Sequence, residues 1–261
     1  MPHDHKKRRN IEREFGVPFA GEILEPNQWT QTALKKLPDN GLLDLDALFG
    51  RQAPLVVDLG CGNGRFLLGS AVWRREYDHL GIDILPVVIR YATRRANQRG
   101  LTNIRFAVTD ALRLLQRYLP PHRAAEIHCY HPQPYYEPGQ VHLRLITPSF
   151  LALVHKSLVP GGQFFIQTDN PGYWRYIRDI VPVFFDFHER IGRWPDAPKG
   201  RTRREIIALR RGLPVFRGYG SARPGLSEAE ALHLAEALPP PVFDADRRLR
   251  ELDEYERRGG E

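Results

Sequence analysis

Between Leu55 and Thr168 the chain alternates short apolar runs with longer stretches in which apolar residues recur at three- and four-residue spacing. Runs such as "LVVDL" suit buried strands and the longer stretches suit amphipathic helices, so the pattern predicts a parallel sheet flanked by helices. Strands are expected at Leu55–Leu59, His79–Ile82, Ile104–Val108, Glu126–Tyr130 and Gln163–Thr168. Helices are expected between them at Gly64–Val72, Pro86–Arg99, Ala111–Tyr118 and Pro148–Leu158, and "LVPGGQ" marks a helix stop followed by a strand start. Beyond the fifth strand come a helix over Gly172–Ile180, a strand in the apolar "PVFFDF", a helix at Arg203–Arg211 and an extended "LPVFRGY". Residues 1–54 read as a basic N-terminal extension with a helix around Gln28–Leu37. The alternating domain spans 55–220, and 221–261 form a charged, loosely attached tail broken at "LPPPV".

Hydrophobic residues make up 42% of the 261, enough for the core of one large domain. No apolar run approaches the ~18 residues of a membrane span, and the charged N-terminus "MPHDHKKRRN" does not read as a secretory signal. Cys61 and Cys129 are the only cysteines, and with His128, His131 and His142 they lack metal-ligand spacing, so neither a disulfide framework nor a metal is expected. A cytoplasmic enzyme fits. Lys and Arg total 38 against 31 acidic residues, a net charge of +7, and all but six of the 38 are Arg. Guanidinium forks bind phosphate and stack on bases, which favours a nucleic-acid partner; the alternative is an Arg-rich surface that only reflects coding composition. "KKRR" at Lys6–Arg9 suits phosphate contact, whereas Arg90, Arg94, Arg95 and Arg99 equally suit a solvated helix face.

The first strand runs into "DLGCGNGRF", where Gly60, Gly62 and Gly64 are spaced G-x-G-x-G. A dinucleotide turn requires G-x-G-x-x-G and here has Arg65 at its third glycine; no Gly-Lys-Ser/Thr follows, so it is not a phosphate-binding Walker loop either. A ligand with a ribose and an amino-acid end fits better. Asp58 would take an ammonium, Asp83 at the end of the second strand would accept two ribose hydroxyls, and Asp110, followed by Ala111, would meet an adenine amino group. The alternative is that each Asp caps the helix behind it.

Three strand ends carrying Asp58, Asp83 and Asp110 resemble the class I methyltransferases that use S-adenosylmethionine. The resemblance covers roughly Leu55–Tyr219 and implies a Rossmann-like α/β fold: a seven-stranded, mostly parallel sheet with helices on both faces and an antiparallel last strand. Within that class, "LTNIRFAVTDALRLL", "TPSFLALVHKSLVPGGQFFIQTDN" and "TRREIIALRRGLPVFRG" resemble the bacterial tRNA (guanine-N7) methyltransferases. That implies tRNA as partner, no membrane or metal, and a monomer or weak homodimer. It also implies that Asp169, Thr202, Glu205 and Arg144 contact substrate.

The family's fourth strand ends in Phe-Pro-Asp-Pro-Trp and a dense basic loop, where this chain has "YHPQPYYEPGQVHLRL". Gln133 stands in place of the Asp and Tyr135 in place of the Trp; His142 and Arg144 are what remains of the basic loop. Guanine N7 carries a lone pair and no proton, so its methylation asks for alignment and for negative charge near the purine rather than for a strong base. Gln133 and Glu137 are the catalytic candidates, with Asp169 and Glu205 as other sources of charge; Tyr135 and Tyr136 suit either base stacking or packing. Two other functions are compatible with the motif: a noncatalytic RNA-binding relative, and a small-molecule methyltransferase.

Overall fold

The computed structural model describes residues 10–246 and 249–257; Lys6–Arg9 lie outside them. Its main sheet is built from β1 (Leu55–Leu59), β2 (Asp78–Asp83), β3 (Ile104–Val108), β4 (Ala124–Tyr130), β5 (Leu158–Thr168), β6 (Phe185–Glu189) and β7 (Phe216–Ala222). The seven strands lie in the order β3-β2-β1-β4-β5-β7-β6. Only β7 runs opposite to the other strands, pairing its Ser221 with Gln163 of β5 and its Gly220 with Phe187 of β6. The chain thus reverses strand order at β1 and β4, the position at which doubly wound sheets open a crevice at their carboxyl ends.

The α-helices are α1 (Leu45–Phe49), α2 (Arg65–Trp73), α3 (Pro86–Gln98), α4 (Ala111–Arg113, continued as a π-helical turn over Leu114–Tyr118), α5 (Pro148–Ser157), α6 (Pro171–Phe184), α7 (Arg203–Arg210), α8 (Glu228–Ala237) and α9 (Arg250–Arg257), and a two-stranded ribbon pairs Arg13–Glu14 with Val17–Pro18. All five residues of β1 are buried, and alternate side chains serve opposite faces. Leu55, Val57 and Leu59 join a core with Phe150 of α5, Ile177 of α6 and Ala231 of α8. Val56 joins a second core with Leu67 of α2, Ala92 of α3 and Phe106 of β3.

Three segments differ from the sequence expectation. Instead of a helix over Gln28–Leu37, a single 3-10 turn spans Pro26–Gln28, and extended chain follows. Phe106 donates to Thr32 O at 2.9 Å and Leu34 donates to Phe106 O at 2.7 Å, so this segment covers the otherwise open backbone of edge strand β3. The "PVFFDF" strand starts later than expected. Pro182 lies inside α6, because Ile177, Ile180, Val181 and Phe184 bury at helical spacing, and pairing begins at Phe185. The C-terminal segment is docked rather than loose. Ala231 and Ala235 are buried, and the Phe243 ring lies 4.7 Å from that of Tyr173. Gly172 admits the Asp244 carbonyl so closely that a Cβ there would lie 2.1 Å from it.

Candidate active site

The glycine turn joins β1 to α2, and Gly60, Gly62 and Gly64 all have positive φ, at 78°, 53° and 77°. Their requirements differ. A Cβ on Gly64 would sit 2.8 Å from the Ala92 Cβ, so this glycine serves helix packing; beside Gly60 and Gly62 there is no protein atom within 4 Å of such a Cβ. These two glycines therefore leave an open-sided backbone cradle.

Asp58 stands at the end of β1, 2% exposed, and its Oδ1 has no hydrogen-bond partner. Burial first, and the neighbouring Asp83 second, push its carboxyl up to about 8, against the opposing pull of Arg201. Asp83 accepts from Gly62 N at 3.1 Å and from Leu85 N at 2.9 Å. Burial raises it, and those backbone donors work against the rise. Asp110 performs the capping function: its Oδ1 accepts from Arg113 N at 2.7 Å, and Ala111 opens α4 behind it. The structure thus brings Asp58, Asp83 and the two open glycines together at adjacent strand ends, and places Asp110 as a helix cap at the next. An ammonium against the orphaned Asp58 oxygen, with the ligand lying on Gly60 and Gly62, fits S-adenosylmethionine. Among the described residues no group of His, Cys, Asp and Glu is placed to hold a metal.

The loop after β4 is held by its prolines. Pro132 and Pro134 are buried while Gln133 between them is exposed. His131 and Tyr135 adopt positive φ of 51° and 43°, a conformation costing roughly 1–3 kcal/mol per residue that the surroundings must enforce. His131 is held through its backbone N, which donates to Gln167 O at 2.8 Å, and Arg144 holds the Tyr135 end. It is 3% exposed and donates to the carbonyls of Pro134 (2.6 Å), Tyr135 (3.0 Å), Pro241 (2.8 Å) and Phe243 (3.1 Å), tying the loop to the C-terminal segment. Its guanidinium also covers the Phe243 ring at 3.6 Å. Arg144, expected to contact substrate, directs its donors inward. Glu137 is half exposed and meets Arg250 at 2.8 Å.

Asp169, just past β5, is also engaged. Burial opposes its ionisation, but His131 at 3.4 Å and Arg204 at 2.7 Å hold the carboxyl well below the usual range. Glu205 is fully buried, paired with Arg217, and accepts from Gln167 (3.2 Å) and from Arg201 N (2.7 Å). Thr202 caps α7 by accepting from Glu205 N at 3.1 Å. The Thr-x-x-Glu segment thus organises the interior beneath the site.

Three residues given bland or no roles from sequence form a buried chain into the site. His128 and Tyr130 share one face of β4, with Asp58 directly beside His128 in register. Glu126, between Arg74 (2.6 Å) and His128 (3.0 Å), begins the chain; His128 Nδ1 accepts from Tyr130 OH at 2.7 Å, and Tyr130 OH accepts from Arg201 at 2.6 Å. Burial pushes His128 down to about 4 despite Glu126, so it is neutral at physiological pH, donating through Nε2 and accepting through Nδ1. The alternation at Glu126, His128 and Tyr130 was the available signal.

A family model described as "Putative methyltransferase" matches residues 52–211. The tRNA (guanine-N(7)-)-methyltransferase of Halorhodospira halophila is 33% identical over 82% of this chain and 94% of its own. That of Alkalilimnicola ehrlichii is 29% identical over 81% of this chain and 89% of its own. Among solved structures, the 16S rRNA methyltransferase KamB superimposes with a TM-score of 0.56 at 14% identity, covering 74% of this chain and 99% of that one, which is agreement of fold. The chain, with its glycine cradle between Asp58 and Asp83, belongs to the tRNA (guanine-N7)-methyltransferase family.

Proposed function

We propose that the protein transfers the methyl group of S-adenosylmethionine to N7 of a guanine in tRNA. The observation that carries this reading is the buried, unpartnered Asp58 oxygen beside the open Gly60–Gly62 backbone, with Asp83 at the next strand end. When bound, the cofactor supplies an electrophilic methyl on a sulfonium. The chain's own residues align and compensate. Asp58 pairs with the ammonium, and Asp83, fixed by Gly62 N and Leu85 N, accepts from the ribose. Asp110 keeps one carboxylate oxygen beyond its capping bond for the adenine side.

On the acceptor side, N7 needs no general base, so the loop's task is to hold the guanine in line and offset the positive charge that develops on it. Gln133, exposed between two buried prolines, hydrogen-bonds the base in this reading, and Glu137 supplies the negative charge. Arg144 acts through the loop backbone as a positioning residue, and Asp169, Thr202 and Glu205 through the packing beneath it. Attack by a lone pair needs no Lewis acid, so the reaction runs without a metal; the enzyme works in the cytoplasm as a monomer or weak homodimer. No helix among the described residues is long and apolar enough to cross a membrane. The test is nucleoside mass spectrometry of unmodified tRNA incubated with protein and cofactor. Appearance of 7-methylguanosine is expected; cofactor binding without any methylated nucleoside would overturn the acceptor assignment.

A further inference from the structure

We propose that Arg201 is the carboxylate receptor for the methionine end of the cofactor, facing Asp58, which takes its ammonium. The inference rests on the cofactor reading above and extends it to a residue outside the glycine turn. An amino-acid end is a zwitterion, and Asp58 answers only half of it. A buried site that held the ammonium and left the carboxylate unpaired would carry a large desolvation cost.

Arg201 is the cation the fold brings to this place. Tyr130, whose OH accepts from it at 2.6 Å, ends β4 one residue beyond the Leu59–Cys129 pairing that precedes the glycine turn. The guanidinium is walled by the rings of Trp194 at 4.1 Å, Phe66 at 5.2 Å and Phe165 at 6.0 Å, which fix its plane. Asp196 accepts from Nε and Nη2 (3.1 and 2.7 Å), and Tyr130 accepts from Nη1. Of the five guanidinium N–H groups about two stay uncommitted, one on each terminal nitrogen, the pair that a carboxylate engages in fork geometry. Arg201 makes no hydrogen bond to Asp58 itself, yet is near enough to draw that carboxyl's ionisation downward. Neither group satisfies the other, so the orphaned Asp58 oxygen and the open guanidinium N–H groups are both left for a ligand. The Glu126–His128–Tyr130 chain holds the phenol from behind, so Tyr130 presents its oxygen to Arg201 in one orientation.

Calorimetry separates this role from a structural one. The parent protein is titrated with S-adenosylmethionine, with its decarboxylated analogue, and with 5′-methylthioadenosine, which lacks the whole amino-acid end. The carboxylate is expected to be worth roughly 10- to 100-fold in affinity, the scale of hydrogen bonds between charged groups. Arg201→Met is expected to lose that factor for S-adenosylmethionine while binding the two carboxylate-free ligands as the parent does, and Arg201→Lys to keep part of it. Equal affinity of the parent for S-adenosylmethionine and its decarboxylated analogue would overturn the proposal, and this comparison needs no variant to fold. So would an equal loss for all three ligands in Arg201→Met. If the parent binds none of the three, the cofactor reading falls first.

Discussion

Cofactor binding is expected to release a proton, and Asp58 is its source. Burial and Asp83 hold this carboxyl at about 8, so it is protonated in the ligand-free protein at mildly acidic pH. An ammonium pairs only with the ionised form, and pairing returns the carboxyl toward its usual low range. At pH 6.5 the binding step should therefore expel about one proton, and affinity should climb about tenfold per pH unit between roughly pH 5 and 7.5. Above about pH 8 the ligand's own α-amino group loses its charge, so affinity should peak near there and decline again. His128 and His79, pushed by burial to about 4 and about 3, stay neutral over that range. Calorimetry at pH 6.5 in two buffers of different ionisation enthalpy counts the proton directly. Asp58→Asn should abolish its release, flatten the acid limb and weaken binding by about 1.5–3 kcal/mol, the scale of a charged hydrogen bond. The linkage also has a stability arm: a carboxyl whose folded pKa is raised favours the folded state below its unfolded value near 4, and that contribution is lost as pH rises toward 8. Asp58→Asn should accordingly narrow the stability difference between pH 5 and 8 in thermal unfolding. An identical proton count in parent and variant would refute the reasoning.

Two further outcomes test the scaffold. Glu205→Gln leaves Arg217 buried without its counter-charge, and should cost about 3–5 kcal/mol in denaturant unfolding; restoration by Arg217→Met in the same chain would show that the penalty is the orphaned cation. Arg144→Met removes the donor shared by Pro134, Tyr135, Pro241 and Phe243. It should lower stability by about 2–4 kcal/mol and speed limited proteolysis after Leu238, with cofactor affinity unchanged.

Sheet and cofactor turn were legible because each depends on local signals. Four of the five residues of β1 are apolar and the other is Asp58, and the glycines that follow adopt positive φ. The "PVFFDF" strand was displaced, because an apolar run such as Val181–Phe185 serves a buried helix end as well as a strand. The N-terminal extension hid its role for a different reason. Thr32–Leu34 has weak propensities of its own and is extended because β3 leaves backbone groups to satisfy, a long-range demand. The same holds for Glu14, which joins Asn63 (2.9 Å), Arg65 (3.5 Å) and Arg203 (2.6 Å) from three separated parts of the chain. Among site residues, Arg144 and Glu205 read from sequence as substrate contacts because the family resemblance implied it. Their burial became visible only with the partners that compensate it.

That compensation decides which carboxylate can serve the guanine. Three acids stood near the acceptor end in sequence: Glu137, Asp169 and Glu205. Asp169 is committed to Arg204 and His131, so diverting it would break both contacts, and Glu205 is committed to Arg217 in the interior, so diverting it would strand a buried cation. Among the described residues Glu137 is engaged only by Arg250, with side chains 45% and 51% exposed, a pair worth roughly 0–1 kcal/mol and easily exchanged for a substrate's charge. Glu137→Gln should therefore reduce single-turnover methylation about 10²-fold with cofactor affinity nearly constant. Arg250→Ala should leave the rate equal to or slightly above the parent's. Gln133→Asp returns a carboxylate to the loop between its two prolines, so it should raise the guanine-N7 rate and recover much of the activity when combined with Glu137→Gln. If parent, Gln133→Asp and Glu137→Gln methylate unmodified tRNA at one rate, the purine's charge is met elsewhere, and the loop after β4 does not face the acceptor.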